Sequence, residues 1–244
     1  MKLDVLAFGV HPDDVELGCA GVLALEKRLG KKTGVIDLTK GELGTRGTTE
    51  TRYEEAYNAK QILQLDVREN LGLADGFFEN NQASQLQVIA VLRKYQPDIV
   101  FCNAPEDRHP DHGRSAALVE DAAFYAGLAK IETLDENGKP QLPWRPKYVF
   151  NYIQDRLLKA DFVVDISADF DTKLASIRAY KTQFYDPAHT DGPQTYISSP
   201  AFLEGIIARA AMYGKMIGVP YAEAFISKKT VGIKSMDALV QQTT

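Results

Sequence analysis

The sequence predicts an α/β fold, with a Rossmann-like, mostly parallel sheet, helices on both faces and a C-terminal elaboration. Two observations predict it. Short apolar runs of strand length alternate with longer stretches of helical period. The connections between successive strands are long enough to hold a helix, as parallel strands require. Because no repeat, low-complexity tract or clear linker interrupts the pattern, residues 1–244 are expected to form a single domain.

The first half of the chain opens with a predicted strand, helix and strand over 3–10, 15–29 and 33–38. The apolar face of this helix is formed by Leu17, Val22, Leu23 and Leu25. A glycine-punctuated loop then precedes a helix over 50–63 and the extended stretch VRENLGL. A helix over 84–95, a strand over 98–104 and a helix beginning near His112 complete this half.

The second half begins with a polar stretch over 132–146, which is rich in turn formers and predicts a surface excursion. Strands are predicted over 148–153 and 162–166. The later predicted elements are a helix over 170–184, a long loop over 185–200, a helix over 201–217 and a closing strand over 223–227. Because long loops in compact domains usually serve function, the loop over 185–200 is a candidate lid.

Composition excludes several classes of protein. A net charge of -5 and a pI near 5.5 give no basic footprint for nucleic acid or an anionic membrane surface. No apolar stretch is long enough to span a bilayer, and the start lacks the features of a signal peptide, so a cytoplasmic protein is expected. Cys19 and Cys102 lie in apolar segments without CxxC spacing, which predicts buried thiols.

Two similar motifs follow predicted strands. His11-Pro12-Asp13-Asp14 ends the first strand, and His109-Pro110-Asp111-His112 lies in the loop after the strand over 98–104. Since ligands of open α/β sheets bind at the carboxyl ends of the strands, the two motifs are expected to meet in one crevice. These motifs hold three of the four histidines of the chain.

These residues suit a metal centre. His11, Asp14 and His112 make a set of two imidazoles and one carboxylate, which leaves coordination positions open as in catalytic sites. Zinc is the first expectation, and ferrous iron, cobalt or manganese accept the same ligands. Asp13, His109 and Asp111 remain as acid–base groups. The alternative for each motif alone is a turn whose aspartate caps the next helix.

HPDDVE and DRHPDHG resemble the motifs of the LmbE-like, or PIG-L-type, zinc-dependent N-acetylglucosamine de-N-acetylases, and the resemblance covers most of the chain. It extends to one branch, the bacillithiol biosynthesis deacetylases, through five further segments. These are IDLTKGELGTRGTTETR, ENLGLADGFF, WRPKYVFNYIQ, DFVVDIS and TQFYDP. The resemblance implies the LmbE-like fold and a homo-oligomer, expected to be a hexamer.

The resemblance also implies roles for individual residues. His11, Asp14 and His112 would bind one zinc ion, with Asp13 as general base. His109, oriented by Asp111, would stabilise the oxyanion as a protonated imidazole. The alternative for Asp111 is a cap of the helix that carries His112.

Substrate contacts are expected from several further residues. Arg52 resembles the substrate-contacting arginine of the family and Asp75 a sugar hydroxyl acceptor; each is otherwise a solvated charge. Arg46, Arg52 and Arg108 are candidates for binding carboxylates of the substrate, since a guanidinium binds carboxylate bidentately. The glycine loop over 41–47 is either a lip over the site or a plain surface turn.

His189 and Tyr196 lie in the long loop, and Phe202 follows it. The resemblance implies a tyrosine near the oxyanion in some family members, but Phe202 stands where it is expected, so either Tyr196 takes that role or the role is absent. His189, the one histidine outside both motifs, is expected to be a surface imidazole rather than a ligand.

The sequence therefore predicts a cytoplasmic zinc hydrolase that removes acetyl from N-acetylglucosaminyl malate in bacillithiol biosynthesis. A deacetylase of another glucosaminide, such as a chitooligosaccharide, or an amidase of thiol conjugates has the same chemistry with another substrate. A non-catalytic binding module and a ferrous oxygenase are rivals from other classes. The expected partner is a small glycoside, with no nucleic acid and no membrane.

Overall fold

The computed structural model describes residues 1–187 and 192–239 and contains a seven-stranded sheet. The strands are β1 (Val5–Gly9), β2 (Thr33–Thr39), β3 (Val67–Leu73), β4 (Ile99–Cys102), β5 (Tyr148–Tyr152), β6 (Phe162–Asp165) and β7 (Ala222–Ser227). The helices are α1 (Asp14–Arg28), α2 (Thr49–Ile62), α3 (Gln82–Tyr95), α4 (Pro110–Tyr125), α5 (Phe170–Arg178) and α6 (Pro200–Ile217). Short 3₁₀ turns lie at Ser167–Asp169 and Met236–Leu239.

The strand order is β3-β2-β1-β4-β5-β7-β6. The pairs among the first five strands of this order are parallel, whereas β7 runs antiparallel to both β5 and β6. Because the chain winds outward from β1 to β3 and then returns to place β4 on the other side of β1, the order of strands reverses between β1 and β4. This switch point leaves a crevice at their carboxyl ends.

The two faces of the sheet are covered by different helices. Leu6 and Phe8 of β1 pack in the core that α3 and α4 cover. Val5 and Ala7, the alternate residues of the same strand, pack in the core beneath α1, α5 and α6. Alternation along one strand thus fills two cores, since successive side chains of a strand point to opposite faces. The predicted α/β class, with a mostly parallel sheet and helices on both faces, is confirmed.

The element boundaries depart from the prediction in a few places. The helix predicted over 170–184 ends at Arg178, and a turn follows in which Phe184 donates its N–H to the carbonyl of Tyr180. Tyr180 and Phe184 are both buried there, so the apolar pattern continues after the helix has ended. Leu25, expected on the inner face of α1, is only half-buried. Both cysteines are buried and unbridged, as predicted.

β7 also holds α1 in place. α1 loses helical geometry at Cys19, and the N–H groups of Gly21 and Val22 donate to the carboxylate of Glu223 on β7, at 2.9 and 2.7 Å. Lys173 of α5 pairs with Glu223 at 2.6 Å and donates to the carbonyl of Leu17 at 2.8 Å. The groups freed by the break in the helix are thereby satisfied inside the core.

Within residues 1–187 and 192–239, none of the helices combines the length and apolar character that crossing a membrane requires.

Candidate active site

An open cavity of about 190 Å³ lies at the carboxyl ends of the parallel strands. Its walls come from the segments that follow β1, β2, β3, β4 and β5, and from α2 and the start of α6. The sequence-predicted residues that line it are His11, Asp13, Asp14, Arg52, Asp75, Arg108, His109 and His112. The crevice expected at the switch point therefore brings both histidine motifs together.

The first motif makes a strained turn between β1 and α1. Asp13 has φ 127°, in a region that residues other than glycine rarely adopt. Asp14 is the first residue of α1, and its Oδ2 accepts hydrogen bonds from the N–H groups of Val10 and His11 at 3.1 and 3.0 Å. The carboxylate of Asp14 thus fixes the turn and still faces the cavity, while no side chain caps the helix at Asp13.

The second motif is an unstrained helix start. His109 is the N-cap of α4 with φ -86°, and its Nδ1 accepts the N–H of Asp111 at 3.3 Å. Pro110 occupies the first turn, where its missing N–H costs nothing. His112 then comes one turn into the helix and points its imidazole toward Asp14. Asp111 does not cap α4, because His109 has that role.

Asp14 lies between the two histidines predicted to bind metal with it. Its Oδ1 is 3.2 Å from Nε2 of His112, and its Oδ2 is 3.6 Å from Nδ1 of His11. The other nitrogen of each ring is held by a different carboxylate. Nε2 of His11 lies 2.9 Å from Oδ1 of Asp75, and Nδ1 of His112 lies 2.7 Å from Oδ2 of Asp107. One nitrogen of each imidazole therefore remains to face Asp14.

Carboxylates dominate the electrostatics of the cavity. Burial acts to lower the pKa of His11, but Asp14 and Asp75 outweigh it and raise the pKa to about 10. At His112, burial also acts to lower the pKa, but Asp14 and Asp107 outweigh it and raise the pKa to about 9. Both imidazoles would bind protons at neutral pH to balance the negative charge. A divalent cation supplies the same positive charge, so these residues fit a metal ion.

Other combinations of ligand atoms also converge here. Single ligand atoms from His11, His109 and His112 lie within 4.8 Å of one another, and so do those from His11, Asp75 and Asp111. His11 belongs to both groups. A metal held by either group would thus contact His11. The described residues supply more candidate ligands than the three that the sequence predicts.

Asp13 has the environment of a proton acceptor. Its side chain lines the cavity and the residue is 5% exposed. Burial raises the pKa of Asp13 to about 7, although the positive charge of Arg52 acts in the opposite direction. A carboxyl group with a pKa near neutrality both accepts and returns a proton at physiological pH.

His109 differs from its expected state. Burial and the neighbouring His11 and His112 lower its pKa, which favours the neutral imidazole over the protonated one. The carboxylate of Asp111 does not orient it, since that carboxylate accepts from Gly76 N at 2.9 Å and Arg114 Nη1 at 2.6 Å. The backbone N–H of Asp111 does so instead. Because Nδ1 accepts this bond, the proton of the neutral ring is on Nε2.

Arg52 and Asp75 both line the cavity, but they differ in their hydrogen-bond partners. Arg52 is buried beneath the glycine loop and donates from Nη2 to Oε1 of Gln183, while its buried Nε has no partner among the described residues. Gly41, at φ 66°, has no room for a Cβ beside this guanidinium. Both oxygens of Asp75 are engaged by protein groups, His11 and the N–H of Leu43. Asp75 therefore holds His11, which was not expected of it.

Of the two remaining arginines, Arg108 lines the cavity and Arg46 does not. Arg46 does not line the cavity, because its guanidinium donates to the carbonyls of Thr182 and Pro193 at 2.6 and 3.0 Å. Arg108 lies at the rim with its Nε 3.2 Å from Asp155, and its guanidinium is 4.5 Å from the ring centre of Tyr196.

Tyr196 does not reach the cavity, since its hydroxyl donates to Asp155 at 3.0 Å. Phe202 does line the cavity, so the aromatic wall there carries no hydroxyl. Among the described residues, no tyrosine is in the lining. The prediction for His189 concerns a residue outside the described ranges.

Sequence reasoning missed four residues around Asp14 and His112. Asn103 follows β4 and Gln154 follows β5, and both donate to Asp14, at 3.1 and 2.8 Å. Asp107 holds His112, and Asp155 holds Arg108 and Tyr196. The signal that could have found them is their place, since all four follow the carboxyl end of β4 or β5. Among the residues after β4 and β5, only Arg108 and the histidine motif were predicted to belong to the site.

Comparisons with known proteins agree with this geometry. The family model described as "PIG-L: GlcNAc-PI de-N-acetylase" matches residues 6–123. The crystal structure of the conserved protein TT1542 from Thermus thermophilus is 36% identical, with a TM-score of 0.84, and the match covers 95% of this chain and 98% of that one. Diacetylchitobiose deacetylase from Thermococcus kodakarensis is 27% identical over 229 residues, 90% of this chain and 80% of that protein.

A third relative is the probable N-acetyl-alpha-D-glucosaminyl L-malate deacetylase 2 from Bacillus subtilis, 28% identical over 197 residues, which are 75% of this chain and 84% of that protein. The fold, the site and these relatives define a hydrolase of the N-deacetylase class. The chain belongs to the PIG-L, or LmbE-like, deacetylase family. Membership in a family of hydrolases decides against the non-catalytic binding module and the oxygenase.

Proposed function

We propose that this protein removes the acetyl group from an N-acetylglucosaminide and that its metal is zinc, held by His11, Asp14 and His112. The observation that carries the proposal is the place of Asp14 between the two imidazole nitrogens that no other carboxylate holds. Asp13 lines the same cavity with a pKa suited to a base. Two of the three ligands, His11 and Asp14, thus come from the same turn as the base, and His112 comes from α4.

The chemistry divides between the metal and the chain. A bound divalent cation supplies a Lewis acid for the acetyl carbonyl and lowers the pKa of water. Asp13 takes a proton from the attacking water and returns it to the amine that leaves. The neutral His109 donates its Nε2–H to the oxyanion of the tetrahedral intermediate, in place of the protonated imidazole that the sequence predicts. The products are acetate and a free glucosaminyl amine.

The substrate that we propose is N-acetylglucosaminyl malate, a precursor of bacillithiol. The relative from Bacillus subtilis carries that activity in its name. The chain supports an acidic substrate through Arg108, whose Nε is anchored on Asp155 while the side chain stays 47% exposed at the rim of the cavity. Arg52 brings a second guanidinium to the cavity lining. The relative named for diacetylchitobiose supports the alternative, a deacetylase of a chitooligosaccharide.

Release of primary amine tests this proposal. Enzyme stripped with a chelator is assayed before and after zinc is restored, with N-acetylglucosaminyl malate, free N-acetylglucosamine and chitobiose. We expect zinc-dependent turnover that favours the malate glycoside. Equal turnover of all three keeps the deacetylase and removes the malate assignment. No amine from any of them, with zinc bound, contradicts the glucosaminide class.

We further propose that the protein is cytoplasmic and forms a homo-oligomer, namely a hexamer, as the family resemblance implies. Light scattering at working concentration checks the second point, and a monomer there contradicts it.

A further inference from the structure

Two amide side chains donate hydrogen bonds to the carboxylate of Asp14. Asn103 donates from Nδ2 to Oδ2 of Asp14 at 3.1 Å, and Gln154 donates from Nε2 to Oδ1 at 2.8 Å. Both amides are buried, at 0% and 5% exposure, and they come from the ends of the neighbouring strands β4 and β5. We call Asn103 and Gln154 the amide clasp.

The orientation of the clasp is determined by its surroundings. Oδ1 of Asn103 accepts from the N–H of Val10 and the hydroxyl of Ser115, both at 3.1 Å. The amide nitrogen of Asn103 must therefore face Asp14. That nitrogen also lies 3.5 Å from Oε1 of Gln154, which turns the amide nitrogen of Gln154 toward Asp14 in the same way.

The two oxygens of Asp14 depend on the clasp to different degrees. Oδ2 has three donors, namely Asn103 and the N–H groups of Val10 and His11. Oδ1 has only Gln154 and the nearby Nε2 of His112 among the described residues. Gln154 is thus the one amide among the described residues that donates to Oδ1.

We propose that Gln154 is a positioning residue that sets the metal affinity of the site by holding Oδ1 of Asp14 toward the imidazole of His112. The inference rests on the proposed metal centre and adds a residue that neither histidine motif contains. Groups that orient the ligands of a metal commonly contribute 10- to 100-fold to its affinity.

The position of Gln154 in the cavity lining makes the proposal testable against a role in packing. A small residue there leaves space that water from the cavity can enter, and water can donate to Asp14 in place of the amide. An apolar residue of the same length fills the space and leaves Oδ1 without a donor. Packing alone would favour the longer residue over the smaller one.

The experiment titrates Zn²⁺ into the full chain, stripped of metal, in competition with a chromophoric chelator. We expect the Kd for zinc to rise about 10- to 100-fold in Gln154→Met and about 2- to 10-fold in Gln154→Ala. The matched control is Gln141→Met, which removes an amide bonded to the carbonyl of Ala90 far from the cavity. Its Kd for zinc should stay within twofold of the wild-type value, and thermal unfolding of the stripped proteins shows that each variant is folded.

Each outcome decides the matter. A Kd for zinc that is highest in Gln154→Met, intermediate in Gln154→Ala and lowest in the wild type supports the proposal. An unchanged Kd in Gln154→Met, or a larger loss in Gln154→Ala than in Gln154→Met, overturns it. If Gln154→Met does not fold, an unchanged Kd in folded Gln154→Ala overturns it as well. Wild-type protein that binds no zinc contradicts the proposed metal centre itself, which is a separate result.

Discussion

The two histidine motifs share His-Pro-Asp and a place after a parallel strand, yet they fold differently. After β1, Asp13 takes a strained backbone conformation with φ 127° and is buried in the cavity lining. After β4, Asp111 lies in the regular first turn of α4, and His109 caps the helix. The strained copy places two adjacent carboxylates at the cavity, while the relaxed copy places two imidazoles there. Strain therefore accompanies the residue proposed as the base.

The largest expected effect is on kcat, and it differs between Asp13 and Asp111, the third residues of the two motifs. Asp13→Asn should lower kcat about 10²- to 10⁴-fold while zinc still binds, because the amide cannot take the proton from water. Asp111→Asn should lower kcat less than about tenfold, since that carboxylate contacts Gly76 and Arg114 rather than the reacting groups. Steady-state kinetics and metal content are measured for both. Near-normal turnover by Asp13→Asn would refute the base assignment.

The next effect concerns the first residue of the second motif. His109→Gln should keep zinc and lower kcat about 10²- to 10³-fold, the usual loss for one donor to an oxyanion. His112→Gln should instead lose zinc, because its imidazole lies against Asp14. Metal content separates the two variants. If His109→Gln also loses zinc, His109 is a ligand, as the grouping of the three imidazoles permits.

A pH-dependent effect follows from the burial of Asp13. Its pKa is raised by burial to about 7 in the folded protein, from about 3.8 when unfolded. The folded state therefore holds the proton more tightly, and deprotonation costs stability as pH rises from about 4 to about 7. Asp13→Asn cannot deprotonate, so its stability relative to wild type should increase over that window. Urea unfolding of metal-free protein at pH 5 and pH 7.5 checks this; a constant difference would contradict it.

The smallest expected effect isolates the strain. At pH 5, where Asp13 is protonated, Asp13→Gly should raise the free energy of unfolding by about 1 kcal/mol, because glycine adopts φ 127° without a clash. Asp111→Gly, the corresponding change in a helix, should lower it by about 2 kcal/mol or more, because it adds a helical glycine and removes the carboxylate that accepts from Gly76 and Arg114. Urea unfolding of stripped protein measures both. A loss of stability in Asp13→Gly would mean that the turn is not strained.

The fold and the meeting of the two motifs followed from local patterns. Alternating apolar runs identified the strands, and the rule for carboxyl ends placed His11 and His112 in one crevice. The orientation of single side chains did not follow. Asp75 turned out to hold His11, and Arg46 to donate to the carbonyls of Thr182 and Pro193. Such contacts join residues distant in the chain, and no local pattern records them.

The place of β7 constrains how the molecule is made. Among the strands of residues 1–187 and 192–239, β7 comes last in sequence but lies between β5 and β6, and its Glu223 binds the middle of α1. During synthesis from the N-terminus, β6 therefore has no partner in the sheet until the chain has been translated past Ser227. A chain cut before β7 would leave β6 without its partner strand and the N–H groups of Gly21 and Val22 without their acceptor.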